Sequence, residues 1–129
     1  EAAVRCVVAV NPLTNPFKFL SDYGYQSFLV NSVERFLGVS RFDSAESRQS
    51  ITPTSRVNEF KVPVLLISGD QDSTVPFEQS QDLANAARGV ADVTLPTLEG
   101  EDHYLQSTQA RFDILSNSLD FLNAHLSTD

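Results

Sequence analysis

The stretch VPVLLISGDQDSTVP, residues 62–76, decides the fold. Its apolar residues from 64 to 67 are unbroken and Gly69 ends them, which predicts a strand buried on both faces of a parallel sheet. Pro63 stands at the start of this strand, where its missing N–H does least harm. The polar loop that carries Asp72 therefore begins at the carboxyl end of a central strand.

Two further strands and three helices are predicted around this strand. VRCVVAV, residues 4–10, is an apolar run rich in β-branched residues, and DVTLPTLEG, residues 92–100, contains a short alternating strand. The helices are predicted within residues 21–38, 77–89 and 107–126. This alternation predicts an α/β domain, about three parallel strands with flanking helices, that occupies residues 1–129 as one unit.

Two of the helices carry stripes of apolar residues at helical spacing, which we expect to be buried. The stripes are Phe28, Val33, Phe36 and Leu37 in the first helix, and Ile114, Leu115, Leu119, Phe121 and Leu122 in the last. Ser107 or Thr108 can cap the last helix. We predict a loop around Pro16, and a polar surface excursion with one helical turn over residues 40–53.

Charge and composition exclude several classes of function. The 129 residues contain 17 acids and 9 bases, and the net charge of −8 argues against nucleic acid as a partner. No apolar run approaches the roughly 20 residues of a membrane span, and we see no signal peptide, so we expect no membrane partner. Because the chain starts at Glu1 and contains no Met, we expect it to be a piece of a longer protein.

The cysteine and histidine residues leave little room for a metal. Cys6 is the single cysteine, which rules out an internal disulfide and favours a small core residue. A single free thiol fits a reducing compartment, so we expect a cytoplasmic location. His103 and His125 are far apart in the sequence, and we predict no metal site and no cofactor. His125 falls in the last turn of a helix, where a cation suits the dipole, and we assign it no catalytic role.

Two predicted loops bring an acid and a histidine to one edge of the sheet. Asp72 follows the second strand, and His103, in the stretch EGEDHYL, follows the third. Because the carboxyl ends of neighbouring parallel strands share an edge, we expect the two side chains to lie close together. A carboxylate that orients an imidazole is half of the device that activates a serine hydroxyl. Asp70 is the rival acid, which we interpret as solvated or as a cap of the turn.

The other half of that device has no motif in the chain. In α/β-hydrolases the nucleophile stands in a G-x-S-x-G elbow, upstream of the acid and the histidine. The glycines are Gly24, Gly38, Gly69, Gly89 and Gly100, and no two of them bracket a serine at that spacing. These 129 residues therefore lack a nucleophile elbow.

Three stretches of the chain resemble the C-terminal portion of the prolyl oligopeptidase family of serine peptidases. That family carries G-x-x-D-x-x-V-P-x-x-Q after a strand, and then a G-x-x-H loop. The matching positions in VPVLLISGDQDSTVPFEQS and LEGEDHYL are Gly69, Asp72, Val75, Pro76, Gln79, Gly100 and His103. RCVVAVNPLTN, residues 5–15, is similar to the strand after the nucleophile helix in the acylaminoacyl peptidase branch.

The resemblance implies the C-terminal part of an α/β-hydrolase fold. It also implies that Asp72 is the triad acid and His103 the general base. The implied enzyme is a peptidase that acts on short peptides of acylaminoacyl or dipeptidyl type. The resemblance further implies that the nucleophilic serine lies upstream of Glu1, so we expect the isolated chain to be inactive. An esterase or thioesterase fits the same acid and histidine, and a non-catalytic interaction fragment fits the missing serine. The VPFEQS context favours the peptidase.

The first strand and the segment after it carry two further expectations. Without upstream strands, Val4 to Val10 form a long apolar edge, which we expect to pair with an upstream part of the same protein or to self-associate. An aromatic cluster follows at the catalytic edge, and it could line a specificity pocket or pack in the core. Its members are Phe17, Phe19, Tyr23 and Tyr25.

Overall fold

The central strand of the sheet is β2, Val64–Gly69, and all of its residues are buried. The structure of the protein is a computed structural model that describes residues 4–22, 28–40 and 42–126. Parallel partners flank β2: β1 (Val7–Val10) on one side, and β3 (Val93–Thr94) and β4 (Thr97–Leu98) on the other. The predicted parallel sheet is therefore confirmed, with its third strand divided in two.

The third strand is divided at Pro96. β2 keeps one register with both halves, so no residue is inserted at the break. The carbonyl groups of Asp92 and Leu98 accept hydrogen bonds from the β2 side, and strand alternation places the nitrogen of Pro96 on that side too. Because proline has no N–H to donate, one hydrogen bond of the ladder is missing there.

Helices cover both faces of the sheet and its connections. They are α1 (Pro16–Asp22), α2 (Phe28–Leu37), α3 (Ala45–Ser50), a 3₁₀ helix (Pro53–Glu59), α4 (Glu78–Ala87) and α5 (Thr108–Leu126). Gly38 and Gly89, the predicted stops, follow the ends of α2 and α4 at positive φ. Ser107 caps α5 as predicted, since its Oγ accepts a hydrogen bond from the N–H of Ala110 at 3.0 Å.

The prediction of a loop around Pro16 is wrong, because this segment is helical. Asn15 Oδ1 accepts a hydrogen bond from the N–H of Lys18 at 2.9 Å, as an N-cap does. Pro16 then takes the first position of α1, where its missing N–H costs nothing. The helical turn expected within residues 40–53 is α3, which begins after the capping residue Ser44.

The core lies on both faces of β2, and two of the predicted stripes are only partly buried. On one face Leu66 packs with Leu83 of α4, and on the other Ile67 packs with Leu98 and Ala110. The exposed members of the predicted stripes are Phe28, Phe36 and Leu37 in α2 and Leu115 and Leu119 in α5. The 3.6-residue period therefore identified these helices, but it did not identify which of their faces is buried.

Candidate active site

Asp72 is held in the loop after β2 by its own backbone neighbours. Its Oδ1 accepts hydrogen bonds from the N–H groups of Thr74 at 2.9 Å and Val75 at 2.8 Å. The side chain is completely buried, at 0% exposure. Aspartate commonly forms such a turn, and here the turn leaves Oδ2 available for a further donor.

His103 supplies that donor from the loop between β4 and α5. Its Nδ1 lies 2.7 Å from Asp72 Oδ2, and the imidazole side chain is 31% exposed. Because a carboxylate oxygen accepts but does not donate, Nδ1 carries a proton, and in the neutral ring Nε2 then keeps its lone pair. The structure thus brings together the two predicted site residues, in an arrangement that fixes one tautomer and leaves Nε2 able to accept a proton.

The rival acid, Asp70, does not contact the imidazole. It binds the backbone of the loop that carries His103, residues 99–107, which we call the histidine loop. Its Oδ1 accepts a hydrogen bond from the N–H of Gly100 at 2.7 Å. Beside it, the N–H of Gln71 donates to the carbonyl oxygen of Glu101 at 3.0 Å. The loop after β2 therefore holds the histidine loop at two points before His103 is reached.

Gln79, the last residue of the peptidase-like motif, ties α4 to the segment after β1. Its side chain is buried, and Oε1 accepts hydrogen bonds from the N–H groups of Asn15 at 2.7 Å and Thr14 at 3.2 Å. The resemblance identified the position of this glutamine. Its partners lie more than sixty residues earlier, and no local pattern indicated them.

The other residues considered from the sequence do not join this pair. His125, in the last turn of α5, packs against the ring of Phe121 with centroids 4.5 Å apart. Phe19 is a core residue, and the guanidinium of Arg48 lies 5.3 Å from the ring centroid of Phe17. Cys6 is half-buried. Tyr23 and Tyr25 lie outside the described residues, so the predicted aromatic pocket is tested only in part.

An apolar groove of about 580 Å³ lies beside the segment that follows β1. Its lining residues are Leu13, Pro16, Ser32, Val33, Phe36, Leu37, Ile51 and Pro53. Neither Phe17 nor Phe19 is among them.

Over residues 4–22, 28–40 and 42–126, no three His, Cys, Asp or Glu side chains cluster as metal ligands, and no helix is long and apolar enough to cross a bilayer.

A hydrogen bond between two exposed side chains on the 3₁₀ helix, Arg56 and Glu59, shifts the pKa values of both. Arg56 Nε lies 3.1 Å from both carboxylate oxygens of Glu59. The hydrogen bond from the guanidinium, reinforced by its charge, holds the pKa of Glu59 below its ordinary value. The same hydrogen bond raises the pKa of Arg56.

A sequence model of the prolyl oligopeptidase family matches residues 3–129. Among solved structures, a puromycin hydrolase superposes with a TM-score of 0.82 at 22% identity, and the acylaminoacyl peptidase of Pyrococcus horikoshii with a TM-score of 0.76 at 15% identity. An esterase from Thermogutta terrifontis superposes with a TM-score of 0.64 at 21% identity. No curated protein sequence matches the chain.

Coverage sets the scope of these comparisons. The alignments include 96%, 95% and 92% of this chain, but 19%, 20% and 42% of the puromycin hydrolase, the acylaminoacyl peptidase and the esterase. The chain therefore spans about a fifth of the length of the peptidases it matches. At these identities the likeness shows the fold, and the predicted fold class is confirmed.

Proposed function

Because the chain belongs to the prolyl oligopeptidase family, we propose that it is the acid- and base-bearing part of a serine-type peptidase. Its substrates are short peptides, of acylaminoacyl or dipeptidyl type. Asp72 orients the imidazole and His103 is the general base. The observation that carries the proposal is the 2.7 Å contact between His103 Nδ1 and the fully buried carboxylate of Asp72.

His103 moves protons at one nitrogen in this mechanism. Nε2 takes the proton of a serine hydroxyl, whose oxygen attacks the peptide carbonyl, and then returns the proton to the leaving amine. In the second half of the reaction Nε2 takes a proton from water, which attacks the acyl-serine ester, and returns that proton to the serine. Asp72 keeps the proton of the neutral ring on Nδ1 and stabilises the imidazolium that forms in each half.

We propose that the serine comes from outside this chain, in an upstream part of the same protein. We also propose that this upstream part pairs with the free side of β1. Within the described residues β1 pairs with β2 alone. The N–H of Val7 donates to Pro63, which directly precedes β2, and the N–H of Asn11 donates to Ile67 of β2. The backbone groups of the alternate residues Val8 and Val10 therefore face away from β2. An apolar strand with an open row of donors and acceptors favours pairing with another strand.

Two other functions share parts of this evidence. An esterase uses the same acid and base, and the Thermogutta terrifontis esterase shares the fold. A non-catalytic interaction fragment accounts for the missing nucleophile elbow. The three proposals differ in whether amide bonds, ester bonds or neither are hydrolysed once an upstream segment is present.

The test compares the 129-residue chain with the same chain extended by its natural upstream sequence. Each is assayed on acetyl-alanine p-nitroanilide, an amide, and on p-nitrophenyl acetate, an ester. We expect the extended protein to cleave the amide, and Asp72→Asn or His103→Ala to lower kcat by a factor on the order of 10⁴. Asp70→Asn is the matched control: the amide oxygen can still accept the hydrogen bond from Gly100, so kcat should stay within a few fold.

Each alternative has its own outcome in this assay. Cleavage of the ester without the amide identifies an esterase, and an inert extended protein identifies an interaction fragment. Turnover by the 129-residue chain alone that His103→Ala abolishes would show that the nucleophile lies within the chain. Equal activity of Asp72→Asn and the unchanged protein contradicts the role given to Asp72.

A further inference from the structure

Asn11 stands at the turn where β1 ends, and its backbone conformation is unusual. Its φ is +44°, in the left-handed region that asparagine tolerates better than most residues. Its N–H still donates to the carbonyl oxygen of Ile67 at 2.8 Å, which extends the pairing of β1 with β2. The residue is therefore fixed beside the carboxyl end of the central strand.

The side-chain amide of Asn11 joins two other segments at this edge. Its Oδ1 accepts a hydrogen bond from the N–H of Gly69 at 3.2 Å, and its Nδ2 donates to the carbonyl oxygen of His103 at 3.0 Å. The orientation of the amide follows from its partners, because one of them is a donor and the other is an acceptor. One side chain thus connects the end of β2 with the backbone of the histidine itself.

This contact differs from the others that hold the histidine loop. Asp70 and Gln71 bind Gly100 and Glu101, which precede His103. They fix where the loop leaves the sheet, but rotation of the backbone at His103 could still carry the imidazole away from Asp72. The bond from Asn11 restrains that rotation at the carbonyl group of His103.

We propose that Asn11 is a positioning residue for His103, which holds the imidazole against Asp72 through the backbone. The proposal rests on the proposed function for its meaning in catalysis, but its geometry can be tested without turnover. The competing explanation is that Asn11 serves the turn alone, since asparagine suits a positive φ. Asn11→Gly separates the two, because glycine keeps the backbone conformation and removes the amide.

The test is NMR spectroscopy of the 129-residue chain, with ¹⁵N-labelled histidine and amide hydrogen exchange. In Asn11→Gly we expect the Gly69 amide to exchange about tenfold faster, and the Nδ1–H signal of His103 to broaden through faster exchange with water. Asn15→Gly is the matched control: Asn15 lies in the same segment but caps α1, so both signals should be unchanged. An unaltered Nδ1–H signal in Asn11→Gly overturns the proposal.

A second variant keeps the test decisive if Asn11→Gly does not fold. Asn11→Asp retains an oxygen for the N–H of Gly69 but has no N–H for the carbonyl of His103. We expect normal protection of Gly69 and a broadened His103 signal, and an unchanged His103 signal contradicts the proposal. In the active extended protein, Asn11→Gly should lower kcat about tenfold or more with little change in KM. An extended protein that hydrolyses nothing would refute the proposed function but leave the NMR result standing.

Discussion

Gly69, the last residue of β2, lies in backbone contact with Glu101 in the histidine loop. A Cβ at Gly69 would overlap the carbonyl oxygen of Glu101 and come within 3.1 Å of that of Asp102. The two loops that carry the acid and the base can therefore approach each other because this position has no side chain. Gly69 therefore permits the close approach of two backbone segments, and its φ is not positive.

Gly69→Ala should displace the histidine loop. The added methyl group meets backbone atoms, which cannot rotate away, so we expect a loss of about 1–3 kcal/mol in the free energy of unfolding. Urea denaturation measures the loss, and the His103 Nδ1–H signal reports the separation from Asp72. Gly38→Ala is the control, since Gly38 has a φ of +65° but no neighbouring atoms within 4 Å. It should strain its own turn and leave the His103 signal unchanged, and equal signals in both variants would contradict the close-contact argument.

Gln79→Ala should destabilise the chain by leaving the buried N–H of Thr14 and the half-buried N–H of Asn15 without their acceptor. We expect a loss of about 2 kcal/mol in the free energy of unfolding, measured by urea denaturation. Gln81→Ala, at an exposed position of the same helix, is the matched control and should change stability by less than about 0.5 kcal/mol. Equal effects of the two substitutions would show that the buried contacts of Gln79 are not the cause.

The isolated chain should self-associate through the open side of β1. Val10 is 43% exposed on this strand, and a lysine there places a charge at the edge, which disfavours pairing with another strand. Sedimentation equilibrium should show association of the unchanged chain and weaker association of Val10→Lys. Val90→Lys, which alters an exposed valine outside the sheet, should behave like the unchanged chain. A stable monomer at all concentrations would contradict this prediction.

The pKa of Glu59 should rise toward its ordinary value in Arg56→Gln, because the hydrogen bond from Arg56 is the main cause of its lowering. A carboxyl whose pKa is lower in the folded state stabilises the protein above the unfolded-state pKa. That stability is lost as the pH falls through the folded-state pKa. NMR titration of the Glu59 carboxyl carbon measures the shift, and Arg88→Gln is the control. Identical titration in Arg56→Gln would refute the assigned cause.

The parallel strands, and the proximity of Asp72 to His103, could be predicted from the sequence. Each strand shows a local pattern, and the positions of the two loops follow from the strands. The apolar run of β2 needs two buried faces, and loops after neighbouring parallel strands must meet at one edge. That geometry was enough to predict that Asp72 and His103 lie close together. It also left Asp70 as a rival, because two acids in one turn differ only in the direction of their side chains.

The contacts between distant segments could not be predicted in the same way. In the sequence, Asn11 and Pro12 simply follow the apolar run of the first strand, and nothing in that pattern indicates that the amide of Asn11 reaches His103. In α5, Ile114 packs on the sheet while the neighbouring Leu115 is 71% exposed, although both belong to the predicted stripe. Which of two adjacent apolar residues faces inward is decided by how the helix lies on β2, which its period alone does not determine.

The histidine loop and α5 share one part of the core, and this bears on how the chain folds while the ribosome makes it. Leu105 and Ala110, which follow His103, complete the core around Leu65 and Ile67 of β2. We therefore expect the imidazole to settle against Asp72 after α5 has been translated and has folded back onto the sheet. For the proposed peptidase, we expect the nascent polypeptide to have no ordered base until α5 has left the ribosome.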